Sequence, residues 1–278
     1  MAEALRVTTS KGIIGVRCWE TGGPTVVLLH GIPGSGRSWT AVAERLAQEG
    51  RVLVPDLIGF GDSARSDDIA VLHAEGQAAA LEEMLRWLGI SRAVVVGHDF
   101  GGPVALTLAQ QSPELVAGLG LLATNAFSDT PIPFPLSTVT WPVLGPLAAR
   151  LLFSAPSLLA MMRQGVGSPR RRIDVRGAVG DRRQRRAIRL IFGASLTRLN
   201  ELYRPIQDRL GRIEVPTLVA WGERDRFLTP EQGRRTATAI PAARLRVYPK
   251  AGHFLPEERP EEVASDLAAL LSAVAARP

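Results

Sequence analysis

The chain has 278 residues, 46% hydrophobic and 22% charged, which suits one large α/β domain with an insertion rather than a disordered or fibrous protein. No apolar run reaches the roughly 18 residues that cross a bilayer, and residues 1–12 lack the layout of a secretory signal, so we expect a cytoplasmic protein without membrane contact. The net charge of +6 does not by itself indicate a nucleic-acid partner, because 31 of the 33 basic residues are arginine, typical of a GC-rich genome.

Short β-branched runs alternate with helical stretches along most of the chain, which is typical of a mostly parallel sheet with helices on both faces. In chain order we predict strands over 13–19 and 25–30, a helix over 38–48, a strand over 51–55, a helix over 71–88, a strand over 93–96, a helix over 102–111, a strand over 116–123, and, after an insertion, a strand over 216–221, a helix over 230–239, a strand over 245–248 and a helix over 260–276. Cys18, the one cysteine, excludes an internal disulfide and a cysteine-based metal cluster, and neither a metal nor a cofactor is implied.

Residues 127–212 interrupt this alternation and contain no strand-like run. We predict a helical cap over 127–212 and a core formed by 1–126 and 213–278, with the proline-rich stretch 131–135 lining an apolar tunnel. Residues 163–212 hold fourteen arginines and four acids, Asp174, Asp181, Glu201 and Asp208, without interleaved aromatic residues. We expect a solvated basic face, with steering of an anionic substrate as the alternative, and a small molecule rather than nucleic acid as the partner. A homodimer is left open.

The sharpest turn in the chain follows the strand at 93–96, where residues 97–101 read Gly-His-Asp-Phe-Gly. This sequence matches the G-x-nucleophile-x-G turn between a strand and a helix, with Asp99 in place of the usual serine. Gly97 and Gly101 allow the two backbones to approach, and aspartate tolerates the left-handed conformation of such a turn. The following helix N-terminus favours the ionised carboxylate. The alternative is that Asp99 only caps that helix.

Two more motifs follow predicted strands and favour a catalytic set over a helix cap. Trp-Gly-Glu-Arg-Asp ends at Asp225, and Gly-His-Phe is centred on His253. The order nucleophile, acid, base is that of α/β-hydrolases. A third motif, residues 30–33, follows the early strand at 25–30, where a backbone N–H of Ile32 would join that of Phe100 in an oxyanion hole.

The other histidines have structural interpretations. We expect His30 to brace its loop, His98 to pack beneath the turn and His73 to lie on the surface. The substrate pocket is expected to include five residues close to these motifs or in the cap: His30, Pro33, Asn125, Trp141 and Phe254.

Residues 97–102 together with 30–33 resemble the epoxide hydrolase and haloalkane dehalogenase branch of the α/β-hydrolases, and the likeness covers essentially the whole chain. The resemblance implies the α/β-hydrolase fold: an eight-stranded, mostly parallel sheet with helices on both faces and a helical cap inserted after the sixth strand. It also implies that Asp99 opens the substrate at carbon to form an alkyl ester. Water activated by His253 would hydrolyse that ester, and Asp225 would orient His253.

The leaving group distinguishes the reactions of this branch. Epoxide hydrolases protonate the leaving oxygen with cap tyrosines, and Tyr203 resembles the second of these, whereas Tyr248 is expected to pack in the core. Dehalogenases commonly bind halide with a tryptophan next to the nucleophile, where this chain has Phe100, although Trp141 could donate an N–H. We favour epoxide hydrolysis, with dehalogenation, β-lactone opening and a catalytically silent ligand-binding protein as alternatives.

Overall fold

The computed structural model of the protein describes residues 2–168, 173 and 182–276. Eight strands form one sheet in the spatial order β1-β2-β4-β3-β5-β6-β7-β8. The first pairings, β1 with β2 and β2 with β4, are antiparallel, and all the others are parallel. The strands are β1 Glu3–Thr9, β2 Gly12–Trp19, β3 Thr25–Leu29, β4 Arg51–Pro55, β5 Ala93–His98, β6 Val116–Leu122, β7 Thr217–Gly222 and β8 Ala243–Tyr248. The expected mostly parallel, eight-stranded sheet is confirmed.

Helices connect the parallel strands. Those in the described part of the chain are α1 Thr40–Leu46, α2 Ile69–Leu72, α3 Ala74–Trp87, α4 Gly101–Gln111, α5 Gly145–Leu152, α6 Ala155–Gly165, α7 Arg182–Thr197, α8 Leu199–Gln207, α9 Pro230–Ala239, α10 Leu255–Glu258 and α11 Pro260–Ala275. Short 3-10 turns cover Gly36–Trp39, Pro113–Leu115, Leu136–Thr140 and Leu210–Arg212.

The two faces of the sheet are both buried, because alternate side chains of each strand point to opposite sides. In β3, Val26 and Leu28 pack with residues of α1 and α11, whereas Val27 and Leu29 pack with residues of α3 and α4. Burial on both faces explains why the inner strands read as continuous apolar runs rather than as alternating patterns.

Two local predictions differ from the structure. Strand β1 is absent from the predicted elements, because only Val7 and Thr9 of its seven residues are buried and the strand lies at the sheet edge. The helix predicted over 71–88 is broken at His73, whose backbone is extended with ψ at 169°. A Cβ on Gly76 would collide with the backbone of Ala70 and Val71. The start of α3 therefore lies against the backbone of α2.

Between β6 and β7 the described chain contains helices and 3-10 turns but no strand. The predicted limits of the cap, 127 and 212, fall in the connections after β6 and before β7, and its status as a separate domain stays a prediction. Residues 169–172 and 174–181 of the arginine-rich segment, with Asp174 and Asp181, lie outside the described residues. No single helix in the described ranges is long and apolar enough to span a bilayer; α5 and α6 meet those criteria as a pair but are bent by 70°.

Candidate active site

The turn between β5 and α4 consists of Asp99 and Phe100. Asp99 has a φ of 51°, in the left-handed region that few residues other than glycine, asparagine and aspartate adopt. A Cβ on Gly97 would collide with the backbone of Gly101, and a Cβ on Gly101 would lie 2.5 Å from the carbonyl oxygen of Leu29. The tight turn therefore requires glycine at both positions, and it presents Asp99 at the carboxyl end of the central strands.

The Asp99 carboxylate has a partner on each oxygen. Its Oδ1 accepts a hydrogen bond from the backbone N–H of Ile32 at 2.8 Å, and its Oδ2 lies 3.4 Å from Nε2 of His253. Burial by itself would raise the pKa of Asp99, but the hydrogen bond and charge of His253 and the Ile32 N–H outweigh burial and lower this pKa. The carboxylate is therefore ionised. In the described part of the chain the Phe100 N–H makes no hydrogen bond to Asp99, so of the two amides predicted for the oxyanion hole it is Ile32 that contacts the carboxylate.

His253 joins Asp99 to a second carboxylate. Its Nδ1 lies 2.8 Å from Oδ2 of Asp225, and the other oxygen of Asp225 accepts the backbone N–H groups of Phe227 and Leu228 at 2.8 and 3.0 Å. Burial alone would lower the pKa of His253, but the charges and hydrogen bonds of Asp225 and Asp99 raise it to about 10. The two carboxylate partners therefore favour the protonated form of the imidazole.

The loop that carries His253 is held from several sides. The buried His98 lies with Nε2 2.9 Å from the carbonyl oxygen of His253, and burial followed by the nearby charge of His253 lowers the pKa of His98 to about 4, so its neutral ring donates this bond. The buried Glu258 carboxylate accepts backbone N–H groups of Gly167, Gly252 and Phe254 at 2.8 to 3.2 Å. The predicted packing position of His98 is confirmed, whereas Glu258 had not been predicted.

A cavity of about 150 Å³ opens above Asp99 and His253. A space of this size holds a ligand comparable to one aromatic ring. Its wall includes the predicted residues Ile32, Pro33, Phe100, Asn125, Tyr203 and Phe254. Pro131, Ile132 and Pro133 of the proline-rich stretch also line the cavity, in agreement with the prediction for that stretch. The residues that sequence reasoning did not single out are mostly apolar: Pro103, Thr130, Leu136, Met161, Ile191, Phe192, Ser195, Leu196, Leu199, Phe227 and Leu228.

Two polar side chains of the cavity wall differ in their availability to a ligand. Asn125 is engaged in a turn, since its amide donates to the carbonyl of Phe127 at 3.0 Å and its oxygen accepts from Phe127 N–H and the Thr130 hydroxyl. Tyr203 is buried, and burial together with the charge of Asp99 raises the pKa of its hydroxyl well above the usual value of 10. The phenol of Tyr203 therefore keeps its proton at neutral pH.

Three predictions about individual residues are not met. His30 does not line the cavity; it braces its loop, since its Nε2 accepts the Leu57 N–H at 3.0 Å and its Nδ1 donates to the Gly31 carbonyl at 2.9 Å. Trp141 is also outside the cavity wall and is 51% exposed. His73, expected on the surface, is buried with its ring edge-on to those of Phe100 and Tyr203.

The burial of His73 has an electrostatic consequence. Desolvation, assisted by the charge of Arg198, lowers its pKa to about 4, so the ring is neutral.

No charged group other than Asp99 and His253 lines the cavity, and within the described residues no arginine reaches it. Over the same residues, no group of three or more histidine, cysteine, aspartate or glutamate side chains is placed to hold a metal ion.

Most of the unpredicted wall residues lie in the insertion, and the others, Pro103, Phe227 and Leu228, follow β5 and β7. No local signal separates any of them from ordinary core residues. Ile191 and Met161, for example, are apolar residues at helical positions that periodicity assigns to packing. In the folded chain they line the same cavity as Asp99 and His253.

Comparison with known proteins agrees with the fold. The family model described as alpha/beta hydrolase fold matches residues 24–260. The 2-hydroxy-6-oxo-6-phenylhexa-2,4-dienoate hydrolase of Burkholderia cepacia is 30% identical over 250 residues, which cover 84% of this chain and 82% of that protein. Epoxide hydrolase 3 of Xenopus tropicalis is 28% identical over 260 residues, 86% of this chain and 69% of that protein. The solved haloalkane dehalogenase DbeA from Bradyrhizobium elkani has the same fold, with a TM-score of 0.82 and 21% identity over 99% of both chains.

Proposed function

This chain belongs to the α/β-hydrolase family and is a hydrolase, and we propose that it converts a small apolar epoxide to a diol through a covalent ester on Asp99. One observation carries the proposal. An ionised carboxylate occupies the strained turn where the nucleophile of this fold stands, 3.4 Å from a histidine and at the base of an apolar cavity.

The choice of aspartate limits the reaction. Attack of a carboxylate on an ester carbonyl would produce an anhydride, which is a high-energy intermediate, whereas attack on a saturated carbon produces an ordinary ester. The substrate should therefore have an electrophilic sp³ carbon with a leaving oxygen or halogen. This argument disfavours simple esterase chemistry.

In the first step, an oxygen of Asp99 bonds to a ring carbon of the epoxide as the C–O bond of that carbon breaks. Tyr203 gives its proton to the departing oxygen, which becomes the first hydroxyl of the product. The Ile32 N–H remains on the carboxyl group of Asp99, where it is ready to stabilise negative charge in the second step.

In the second step, His253 acts as the base. The ester is neutral, so one of the two carboxylates that raise the pKa of His253 is lost, and the ring releases its proton to solvent as the Tyr203 phenolate takes one up. Neutral His253 then takes a proton from water as that water attacks the carbonyl carbon of the ester. When the tetrahedral intermediate collapses, the departing ester oxygen takes the proton of the added hydroxyl, which releases the diol, restores the Asp99 carboxylate and leaves His253 protonated for the next cycle.

The polar groups of the cavity favour an epoxide over a haloalkane. An alkoxide leaving group needs a proton, which Tyr203 can give, whereas a halide needs N–H donors to hold it. The amide of Asn125 is already engaged with Phe127, and Trp141 lies outside the cavity.

Intact-mass spectrometry of a trapped intermediate tests the proposal. His253→Gln protein is incubated with styrene oxide and, separately, with 1-bromobutane, and the double variant with Asp99→Ala serves as the control. We expect an adduct with the epoxide that maps to the peptide containing Asp99 and is absent from the double variant. An adduct with the bromide alone would establish dehalogenation instead, and recovery of unmodified protein from both incubations would favour a silent ligand-binding protein.

A further inference from the structure

Most of the large hydrophobic side chains that the described chain exposes lie in one short segment of the insertion. Seven such side chains are exposed, and the single one outside this segment is Trp87. The other six form what we call the apolar strip: Phe134, Trp141, Val143, Leu144, Leu147 and Leu151, with exposures between 51% and 85%. Scattered exposed hydrophobic residues are common, but a concentration of this kind marks an interaction surface.

Strong positive charge lies beside the apolar strip. A groove between α5, the start of α7 and the segment after β4 is lined by seven arginines, which we call the arginine groove: Arg65, Arg150, Arg182, Arg183, Arg185, Arg186 and Arg189. The one acid among its lining residues, Asp67, pairs with Arg186 at 2.8 Å. Partial burial, and then repulsion from Arg150, Arg185 and Arg186, lowers the pKa of Arg189. The groove therefore favours a partner with several negative charges.

Helix α5 joins the two features. Leu147 and Leu151 are one turn apart and exposed on one side of the helix, and Pro146 and Arg150 are one turn apart on the adjacent side, where they line the arginine groove. A helix with leucines on one side and arginine on the next, near exposed aromatic residues, is typical of proteins that lie on an anionic bilayer surface. A nucleic acid would match the charge but not the exposed leucines.

The apolar strip also adjoins the cavity. Ile132, Pro133 and Leu136 line the cavity, while Phe134, between them in the chain, is 80% exposed. The same short segment therefore contacts both the cavity and the outside. An apolar substrate dissolved in lipid would contact this segment before it enters the cavity.

We propose that the apolar strip and the arginine groove dock the protein on an anionic lipid surface, as a peripheral contact and not as a membrane-spanning one. This proposal replaces the expectation of no membrane contact, which rested on the absence of a long apolar run. Docking depends on surface side chains alone, so it can hold whether or not the reaction at Asp99 is the one proposed above.

Vesicle co-sedimentation tests the docking. The full chain is mixed with vesicles of phosphatidylcholine alone or of phosphatidylcholine with phosphatidylglycerol, at low and high NaCl. One variant removes the apolar contact, Leu147→Gln with Leu151→Gln, and another reverses charge, Arg150→Glu with Arg183→Glu. Trp87→Ser, which removes an exposed aromatic residue outside the strip, is the matched control.

We expect binding to the anionic vesicles that salt weakens, with a reduction on the order of tenfold in either double variant and little change in Trp87→Ser. Circular dichroism spectra and epoxide turnover in solution should stay as in the wild type for all three variants, which separates docking from catalysis. Equal binding to both vesicle types, or none, would overturn the proposal. So would self-association in the absence of lipid that the leucine variant abolishes, since the strip would then be an interface between two copies of this chain.

Discussion

His253 links the stability of the protein to pH through its two carboxylate partners. Folding raises its pKa from 6.5 to about 10, so the folded state binds this proton more tightly than the unfolded state. The resulting stabilisation is complete below the unfolded value and is lost as the pH rises through the folded one. Asp99 behaves in the opposite sense, because its lowered pKa stabilises the fold above its usual pKa and that stabilisation is lost in acid.

We therefore predict that the stability difference between the wild type and His253→Gln depends on pH. The free energy of unfolding of the wild type should exceed that of the variant by a few kcal/mol near neutral pH, and the excess should shrink between pH 6.5 and about 10. Urea unfolding at a series of pH values measures it. A difference that stays constant across this range would contradict the proposed charge on His253.

Tyr203 gives a second prediction, because the chain has just two tyrosines and they differ in environment. Tyr203 faces the cavity, whereas Tyr248 is buried in β8 and donates to Asp266 at 2.8 Å. Tyr203→Phe should lower kcat/KM for styrene oxide by about 10² to 10³. Tyr248→Phe, the matched control, should lose little activity. Similar losses in steady-state kinetics for both variants would mean that Tyr203 acts through packing and not as a proton donor.

The strand-turn-helix element around Asp99 depends on glycines that leave no room for a side chain. Gly97→Ala would press a methyl group into the backbone of Gly101, and we expect a loss of about 3 kcal/mol of stability together with loss of activity. Gly193→Ala in α7 is the matched control, because no atom lies within 4 Å of its added Cβ, and it should be neutral or stabilising by up to about 1 kcal/mol. Thermal unfolding compares them, and equal effects would contradict the steric argument.

Periodicity predicted most elements because their buried residues follow the regular spacing of a strand or a helix. Strands β3 to β7 are mostly apolar runs, and strands β3 to β8 appear close to their predicted limits. The exceptions include the break at His73, where Gly76 lies close to the backbone of α2, and the short helix α10, whose Glu258 accepts N–H groups from the His253 loop and from Gly167.

At the scale of the whole molecule, the arginine groove is separate from the cavity, and this separation predicts a preference for neutral over anionic substrates. The arginines of the arginine groove do not line the cavity, whose charged groups are Asp99 and His253. A carboxylate-bearing analogue of styrene oxide should therefore react with a kcat/KM about tenfold below that of the neutral compound, because no arginine lines the apolar cavity to pair with its carboxylate, and His253 is already paired with Asp99 and Asp225. Raising NaCl should increase the rate for the anionic analogue and leave the neutral one unchanged. A rate that falls with salt for the anionic analogue would instead show that arginines steer the substrate.

The local chain suffices to predict the strand-turn-helix at Asp99, the motifs of Asp225 and His253, the loop at Ile32 and the α/β class of the fold, because each depends on short-range geometry or on periodicity. It is not sufficient for the cavity wall, the buried position of His73, the role of Glu258 or the exposure of Leu147 and Leu151 beside the arginine groove. Those features arise from side chains far apart in sequence. An apolar residue on a helix has the same local pattern whether it faces the core, a ligand or solvent, and it is the packing of the folded chain that assigns it to one of them.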